Sequence, residues 1–273
     1  MVKKAAALAG VGLGLGAVYL WAANNALKEG TSGLAPPAYR VPPRHRVSLC
    51  VPAYNEEKYI GNLLTSARNQ TESFHSLVVA DCSEFGDSTS LIAMRLGAKV
   101  LRVAKGNISA GRNLAAVWTS DADILVFADA DVILSSRFVE QAVSVLENPS
   151  VSLVHPREAI YDSTRWNVQL YAAQIFRPKW NTTRCVAVWR GVFEAVGGYD
   201  ENCNPITESC REDLDFGRRV IEKFGWGSVQ VLPPLISTSS RRWKMFGWGG
   251  FSHFDVPVRA RLQQPIVASS DVL

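Results

Sequence analysis

The spacing of hydrophobic residues changes character several times along this chain. From Ala5 to Ala23 no charged or strongly polar side chain occurs, and Lys3 and Lys4 precede the stretch. At about 1.5 Å per residue, a helix over those nineteen residues nearly matches a bilayer core of roughly 30 Å. Many of them are Ala or Gly, and a secretory signal peptide is the competing reading. No convincing A-x-A cleavage site follows Trp21, so an uncleaved transmembrane anchor over residues 1–26 is expected. Lys28, Arg40, Arg44 and Arg46 on the far side lean toward a single pass with the catalytic part in the cytoplasm.

Residues 27–46 are punctuated by Gly30, Gly33, Pro36, Pro37, Pro42 and Pro43 and read as a linker. Val47–Val51 then alternates as a strand does. Asn55 stands where it can cap a helix whose apolar positions are Ile60, Leu63, Leu64 and Ala67. Further strands are predicted at Ser76–Ala80, Ala98–Val103 and Ile124–Ala128, and helices at Ser88–Leu96, Ser109–Thr119 and Ser136–Leu146. Strands alternating with helices predict an α/β fold with a Rossmann-like, mostly parallel sheet flanked by helices, its first half spanning 47–150. Over residues 151–254 the alternation stops and aromatics become dense (Tyr161, Trp166, Tyr171, Phe176, Trp180, Trp189). That part is expected to cover the sheet edge and receive a second substrate, with a tail at 255–273.

Composition adjusts this picture little. With 273 residues, 47% hydrophobic and 20% charged, the chain can bury one full core. A net charge of +4 with scattered basic residues does not demand nucleic acid. The five cysteines form no C-x-x-C, so no zinc site is suggested; thiols buried in a reducing compartment are expected, with a Cys203–Cys210 bridge as the alternative.

The chemistry gathers at strand ends. In open parallel sheets, ligands sit beyond the carboxyl ends of the strands. Here those ends carry Pro52–Ala53–Tyr54–Asn55–Glu56–Glu57, Asp81–Cys82–Ser83 and Asp129–Ala130–Asp131. Asp129 and Asp131 lie roughly 6.6 Å apart on one side of an extended chain, a spacing able to hold a divalent cation and a sugar hydroxyl. Two unpaired carboxylates at the edge of an apolar sheet are costly unless positive charge sits beside them.

These segments resemble family 2 glycosyltransferases: V-P-A-Y-N-E-E, V-V-A-D-C-S and F-A-D-A-D, then I-S-A-G-R-N at 108–113, R-G-V-F-E-A-V-G-G-Y-D at 190–200 and R-E-D-L-D at 211–215. The resemblance covers residues 47–245 and implies the A-type nucleotide-sugar fold with inverting transfer. It implies that Asp81 contacts the uracil or ribose of a UDP- or GDP-linked donor, that Asp129 lies near ribose and metal, and that Asp131 binds Mg²⁺ or Mn²⁺. Pro52, Tyr54, Glu56 and Arg112 fall on the donor side. Asp213 is the candidate general base that takes the proton from the acceptor hydroxyl. Asp215 reads as structural, and Glu212 fits a capping box with Ser209. His253 is a candidate third metal ligand.

The sequence also departs from the family. Ala80 and Cys82 replace the usual acid and glycine around Asp81. Ser239–Ser240–Arg241–Arg242–Trp243 lacks the glutamine of the Q-x-x-R-W motif of chain-extending members, which points to transfer of a single sugar and not to polymer synthesis; the acceptor expected is lipid-linked or a surface glycan. Arg241 or Arg242 remains a candidate to meet the diphosphate, and Trp243 beside them is a further candidate site residue. The alternatives are an inactive membrane-bound scaffold, or a sugar-phosphate nucleotidyltransferase; the latter would want a glycine-rich loop with a basic residue where this chain has Pro52–Glu57.

Overall fold

The computed structural model describes residues 2–104, 107–174, 179, 182, 184–203, 211–241 and 244, with side chains from residue 16 onward. Residues up to Ser239 form one compact unit, and those from Ser240 a second. His253, Arg242 and Trp243 lie outside the described residues, as do Ser209 and Cys210.

The described strands, β1 (Val47–Ala53), β2 (Ser76–Asp81), β3 (Lys99–Arg102), β4 (Ile124–Ala128), β5 (Val132–Leu134), β6 (Leu153–Ile160), β7 (Cys185–Trp189) and β8 (Val229–Thr238), form one eight-stranded sheet in the order β3-β2-β1-β4-β7-β6-β8-β5. Its first half follows the expected alternation: β1 (Val47–Ala53), α2 (Ile60–Arg68), β2 (Ser76–Asp81), α3 (Thr89–Arg95), β3 (Lys99–Arg102), α4 (Ile108–Val117) and β4 (Ile124–Ala128), with these strands parallel. Strand β1 lies between β2 and β4 and is almost wholly buried, so its residues face the core on both sides. Leu49 and Val51, with Ile124 and Val126, face Leu63, Leu64 and Phe138. Cys50, with Leu125 and Phe127, faces Ala115, Ala116 and Phe216. Alternate residues serving two packed faces is the period of two expected of a strand.

The second half departs from expectation. It completes the sheet instead of covering its edge, and it makes the sheet mixed. Following β5 (Val132–Leu134) and α5 (Phe138–Leu146) come β6 (Leu153–Ile160), α6 (Thr164–Ala173), β7 (Cys185–Trp189), α7 (Arg190–Ala195), α8 (Glu212–Phe224) and β8 (Val229–Thr238). Strand β7 runs antiparallel to β4 and β6, β5 antiparallel to β8, and β6 parallel to β8.

Helix α1 runs unbroken over Val2–Thr31, through the boundary at residue 26 drawn from the sequence. Its C-terminal end belongs to the folded unit. Ala23 and Ala26 are buried. Asn167 of α6 donates to the Ala23 carbonyl at 2.8 Å, and the Ser237 hydroxyl to the Gly30 carbonyl at 3.3 Å. A Cβ on Gly30 would sit 2.7 Å from the Ile236 carbonyl oxygen, so glycine here permits close approach of helix to strand and is not linker punctuation. Val18, Tyr19, Leu20 and Trp21, one turn earlier, are exposed. Among the described residues no helix is long and apolar enough to cross a membrane. Cys203 is disulfide-bonded, so the expectation of reduced thiols fails there; Cys50, Cys82 and Cys185 are thiols outside any disulfide.

Candidate functional site

The ends of β2, β1 and β4 lie side by side, with Ala53 in register with Asp81 and Cys50 with Phe127. The loop after β1 is knit to the loop after β2. Asn55 donates from its backbone to the Ser83 hydroxyl at 2.8 Å and accepts from Glu84 N–H at 3.0 Å, while the Tyr54 hydroxyl reaches Glu84 at 2.6 Å. Asn55 sits at φ 53°, a left-handed conformation that asparagine tolerates, and it does not cap a helix: α2 starts at Ile60 with Tyr59 at its N-cap. Glu56 is fixed through its backbone N–H to the Thr89 hydroxyl at 2.9 Å. Pro52 packs beneath α4 near Gly111: a Cβ there would meet the Pro52 Cβ at 3.5 Å, an ordinary contact distance.

Asp81 is fully buried. It accepts from Ser83 N–H at 2.8 Å, from the Ser90 hydroxyl and from Arg102 at 2.8 Å. Burial alone would raise its pKa, but these hydrogen bonds and the Arg102 charge outweigh it and hold the carboxyl below its ordinary value.

Each acid of the D-x-D turn meets an arginine. Asp129 pairs with Arg112 at 3.0 Å, and Arg112 also pairs with Glu212 at 2.9 Å. Arg112 is buried, not a surface helix residue. Burial disfavours its charge, yet Tyr199, Glu212, Asp129 and Asp213 around it raise its pKa above the ordinary value. Glu212 is pushed up by burial in spite of Arg112. The capping-box reading of Glu212 fails, because the N-cap of α8 is Arg211 and no side chain caps the helix. The glutamate is turned inward to the buried guanidinium instead.

Asp131, buried, lies 3.8 Å from Arg184, whose Nε lies 2.6 Å from Glu158. Arg184 stands at φ 68°, where a side chain with a Cβ costs roughly 1 to 3 kcal/mol. Its carbonyl accepts from Asp129 N–H at 2.8 Å, so the residue is tied to the turn through its backbone. Neither Arg184 nor Glu158 is marked by any sequence pattern.

Asp213 occupies the first turn of α8, next to Glu212, and pairs with Arg211 at 3.2 Å. Its carbonyl accepts from the Thr182 hydroxyl at 2.6 Å. Asp215 pairs with Arg218 at 3.1 Å and Arg219 at 2.7 Å, and Arg219 donates onward to the Val196 and Gly198 carbonyls. Asp215 is thus a structural anchor.

The G-G-Y-D segment turns inward, with Gly197 and Gly198 at φ 79° and 69°. Asn113 of α4 holds it, accepting from Tyr199 N–H at 2.9 Å and donating to the Tyr199 carbonyl at 2.8 Å. The Tyr199 ring stacks on Phe216 at 4.4 Å and carries the Arg112 guanidinium on its face at 4.9 Å. His155 is buried in β6 against the Lys179 carbonyl at 2.8 Å.

Among the described residues no group of three or more His, Cys, Asp or Glu converges as a metal site. The donor set at the D-x-D turn nevertheless suits a hard divalent cation, being carboxylate oxygen. Among the described residues, Asp129 and Glu212 pair with Arg112, Glu158 with Arg184 and Asp213 with Arg211, while Asp131 lies near Arg184.

The model of the glycosyl transferase family 2 matches residues 48–198, and the chain belongs to that family. Over 103 residues it is 36% identical to the 4,4'-diaponeurosporenoate glycosyltransferase of Staphylococcus haemolyticus. That stretch covers 36% of this chain and 27% of that protein, so the chain matches about a quarter of the relative's length. Its fold is shared with a mannosyltransferase of Pyrobaculum calidifontis bound to GDP-Man and Mn²⁺, at TM-score 0.54, 21% identity, and 86% and 67% coverage of the two chains. It is likewise shared with glucosyl-3-phosphoglycerate synthase of Mycobacterium tuberculosis bound to Mn²⁺, UDP and glucosyl-3-phosphoglycerate, at 0.54, 19%, 80% and 79%.

Proposed function

We propose that this protein is a membrane-anchored, metal-dependent, inverting glycosyltransferase that moves one sugar from a UDP- or GDP-linked donor to a lipid-linked or surface-glycan acceptor. The observation that carries this reading is Arg112, whose guanidinium joins Asp129 of the D-x-D turn to Glu212, the neighbour of Asp213. A donor-side acid and the residue next to the candidate base are thereby fixed to one buried cation.

In this reading Asp81 and the loop Pro52–Glu56 take the nucleoside, on the side of residues 47–150, and the elements from 151 onward take the acceptor. Asp213 removes the proton from the acceptor hydroxyl as its oxygen attacks the anomeric carbon from the face opposite the leaving nucleoside diphosphate. Asp129 and Asp131 would hold Mg²⁺ or Mn²⁺, which when bound offsets the charge developing on the departing diphosphate. The donor class is supported by solved neighbours bound to GDP-Man and to UDP. The anchor is supported by the exposed Val18–Trp21 band on α1, directly before its docked end. Flanking charge favours a cytoplasmic catalytic part. The disulfide at Cys203 pulls the other way, since such bonds persist in oxidising compartments, and protease accessibility in sealed vesicles of known orientation decides it.

The test is a thermal-shift screen of nucleotide sugars with and without Mn²⁺, followed by transfer assays with the stabilising donor. Asp131→Ala and Asp213→Ala should both abolish transfer. Wild-type transfer rates in both variants would overturn the assignment.

A further inference from the structure

We infer that Arg184 is a resident counter-cation of the D-x-D turn that sets how tightly the site takes a divalent metal ion. The inference rests on the proposed metal dependence and extends it to a residue outside the motif. Three independent observations converge on Arg184. Its backbone is held in the left-handed region at φ 68°, a conformation that persists in a non-glycine residue only where the surroundings over-determine it. Its carbonyl accepts from Asp129 N–H at 2.8 Å, which fixes it to the turn. Its guanidinium is buried with Nε 2.6 Å from Glu158 and Nη1 3.8 Å from Asp131 and 3.2 Å from the Thr238 hydroxyl.

Glu158 does not float. Its backbone N–H donates to the Gln174 side chain at 2.7 Å and its carbonyl accepts from the same side chain at 2.7 Å. The arginine is therefore anchored away from the turn by its tighter contact and presents its charge to Asp131 at longer range. It has no need to move when a metal ion arrives, but it repels one.

The experiment is Mn²⁺ titration of the full chain followed by the paramagnetic resonance signal of free Mn²⁺, which needs no turnover. Arg184→Gln removes the charge at similar length, Arg184→Gly removes it at a φ that glycine adopts freely, and Arg184→Lys keeps it. Arg184→Gln and Arg184→Gly should bind Mn²⁺ about tenfold more tightly than wild type, the order expected from one nearby unit charge in a partly screened site. Arg184→Lys should stay near wild type. A merely structural role would weaken binding in all three. Unchanged or weaker binding in Arg184→Gln, or in Arg184→Gly should the first variant not fold, overturns the inference and leaves the metal-dependent reading intact. Binding gained in these variants with none detected in wild type supports the inference and places the wild-type affinity below the titrated range. No binding in any form overturns both.

Discussion

Arg112 and Glu212 stand 100 residues apart in the chain and meet at 2.9 Å in a buried ion pair. The pair ties α4, which lies against β1, to the first turn of α8. Because Arg112 also holds Asp129, removing it leaves two carboxylates beside one another without their shared cation. Breaking a buried pair from one side costs about 3 to 5 kcal/mol. Arg112→Met is therefore expected to lower the melting temperature sharply and to reduce kcat/KM, whereas Glu212→Gln, which keeps an acceptor oxygen, should be milder on both. Calorimetry and transfer kinetics on the two variants check this; a wild-type melting temperature in Arg112→Met would break the argument.

Asp213 and Asp215 lie on the same helix turn and make opposite predictions. Asp215 spends both oxygens on Arg218 and Arg219. Among the described residues Asp213 accepts from Arg211 and from the Leu214 N–H, in the first turn beside Glu212. Asp213→Asn should lower kcat by roughly a hundredfold to ten-thousandfold, the range for loss of a general base, with donor KM little changed. Asp215→Asn should keep kcat within a few fold and lose stability. Steady-state kinetics paired with melting curves separate the two, and the reverse ranking would move the base elsewhere.

How far these features could be read from sequence depended on what kind of signal each left. The run Ile124–Ala128, buried throughout, is a strand by composition alone, and the structure gives those same limits. Strand β8 hid itself, because Pro233 and Pro234 argue against an interior strand. The sheet accommodates them by shifting register, with Arg157 opposite Pro234 and Glu158 opposite Ile236. Gly30 read as linker because the signal for a loop and the signal for close backbone approach are the same residue. Glu212 read as a cap because its local spacing fits one; its actual partner lies on α4, and no local pattern reports which helix faces it. Arg184 left no trace at all, since the sign of φ is a property of the folded turn and Glu158 looks like any charged residue in a strand.

The docked end of α1 can be tested by its glycines. Gly→Ala within a helix is ordinarily favourable by about 0.8 to 1.0 kcal/mol. At Gly30 that gain meets a Cβ 2.7 Å from the Ile236 carbonyl oxygen, and overpacking of this kind costs about 1 to 3 kcal/mol. The backbone oxygen cannot rotate away, so the cost should win and Gly30→Ala should melt lower than wild type. Gly16, with nothing within 4 Å of its Cβ position, is the control and should melt at or above wild type. Equal melting of the two variants would mean that α1 does not rest on β8 as drawn.

The Asp81–Arg102 pair predicts an acid limb. Asp81 has its pKa held below its ordinary 3.8 in the folded protein, so the folded state binds its proton less readily than the unfolded chain does. The stability this contributes is fully present above 3.8 and is lost as pH falls from there through the lower folded value. Much of Arg102 is in solvent, its side chain 56% exposed, so screening discounts its charge; the hydrogen bonds from Ser83 and Ser90 carry more of the effect. Arg102→Met should therefore flatten the acid limb only slightly, and Ser90→Ala should flatten it more. The two predictions part on substrate: if Asp81 faces the nucleoside, Arg102→Met should change donor KM, because the guanidinium also donates to the Ser83 carbonyl at 2.7 Å and so positions the loop beside the base. Urea melts from pH 7 to pH 3 give the first readout and donor titrations the second. A larger acid effect in Arg102→Met than in Ser90→Ala would show that charge, and not hydrogen bonding, depresses the Asp81 pKa.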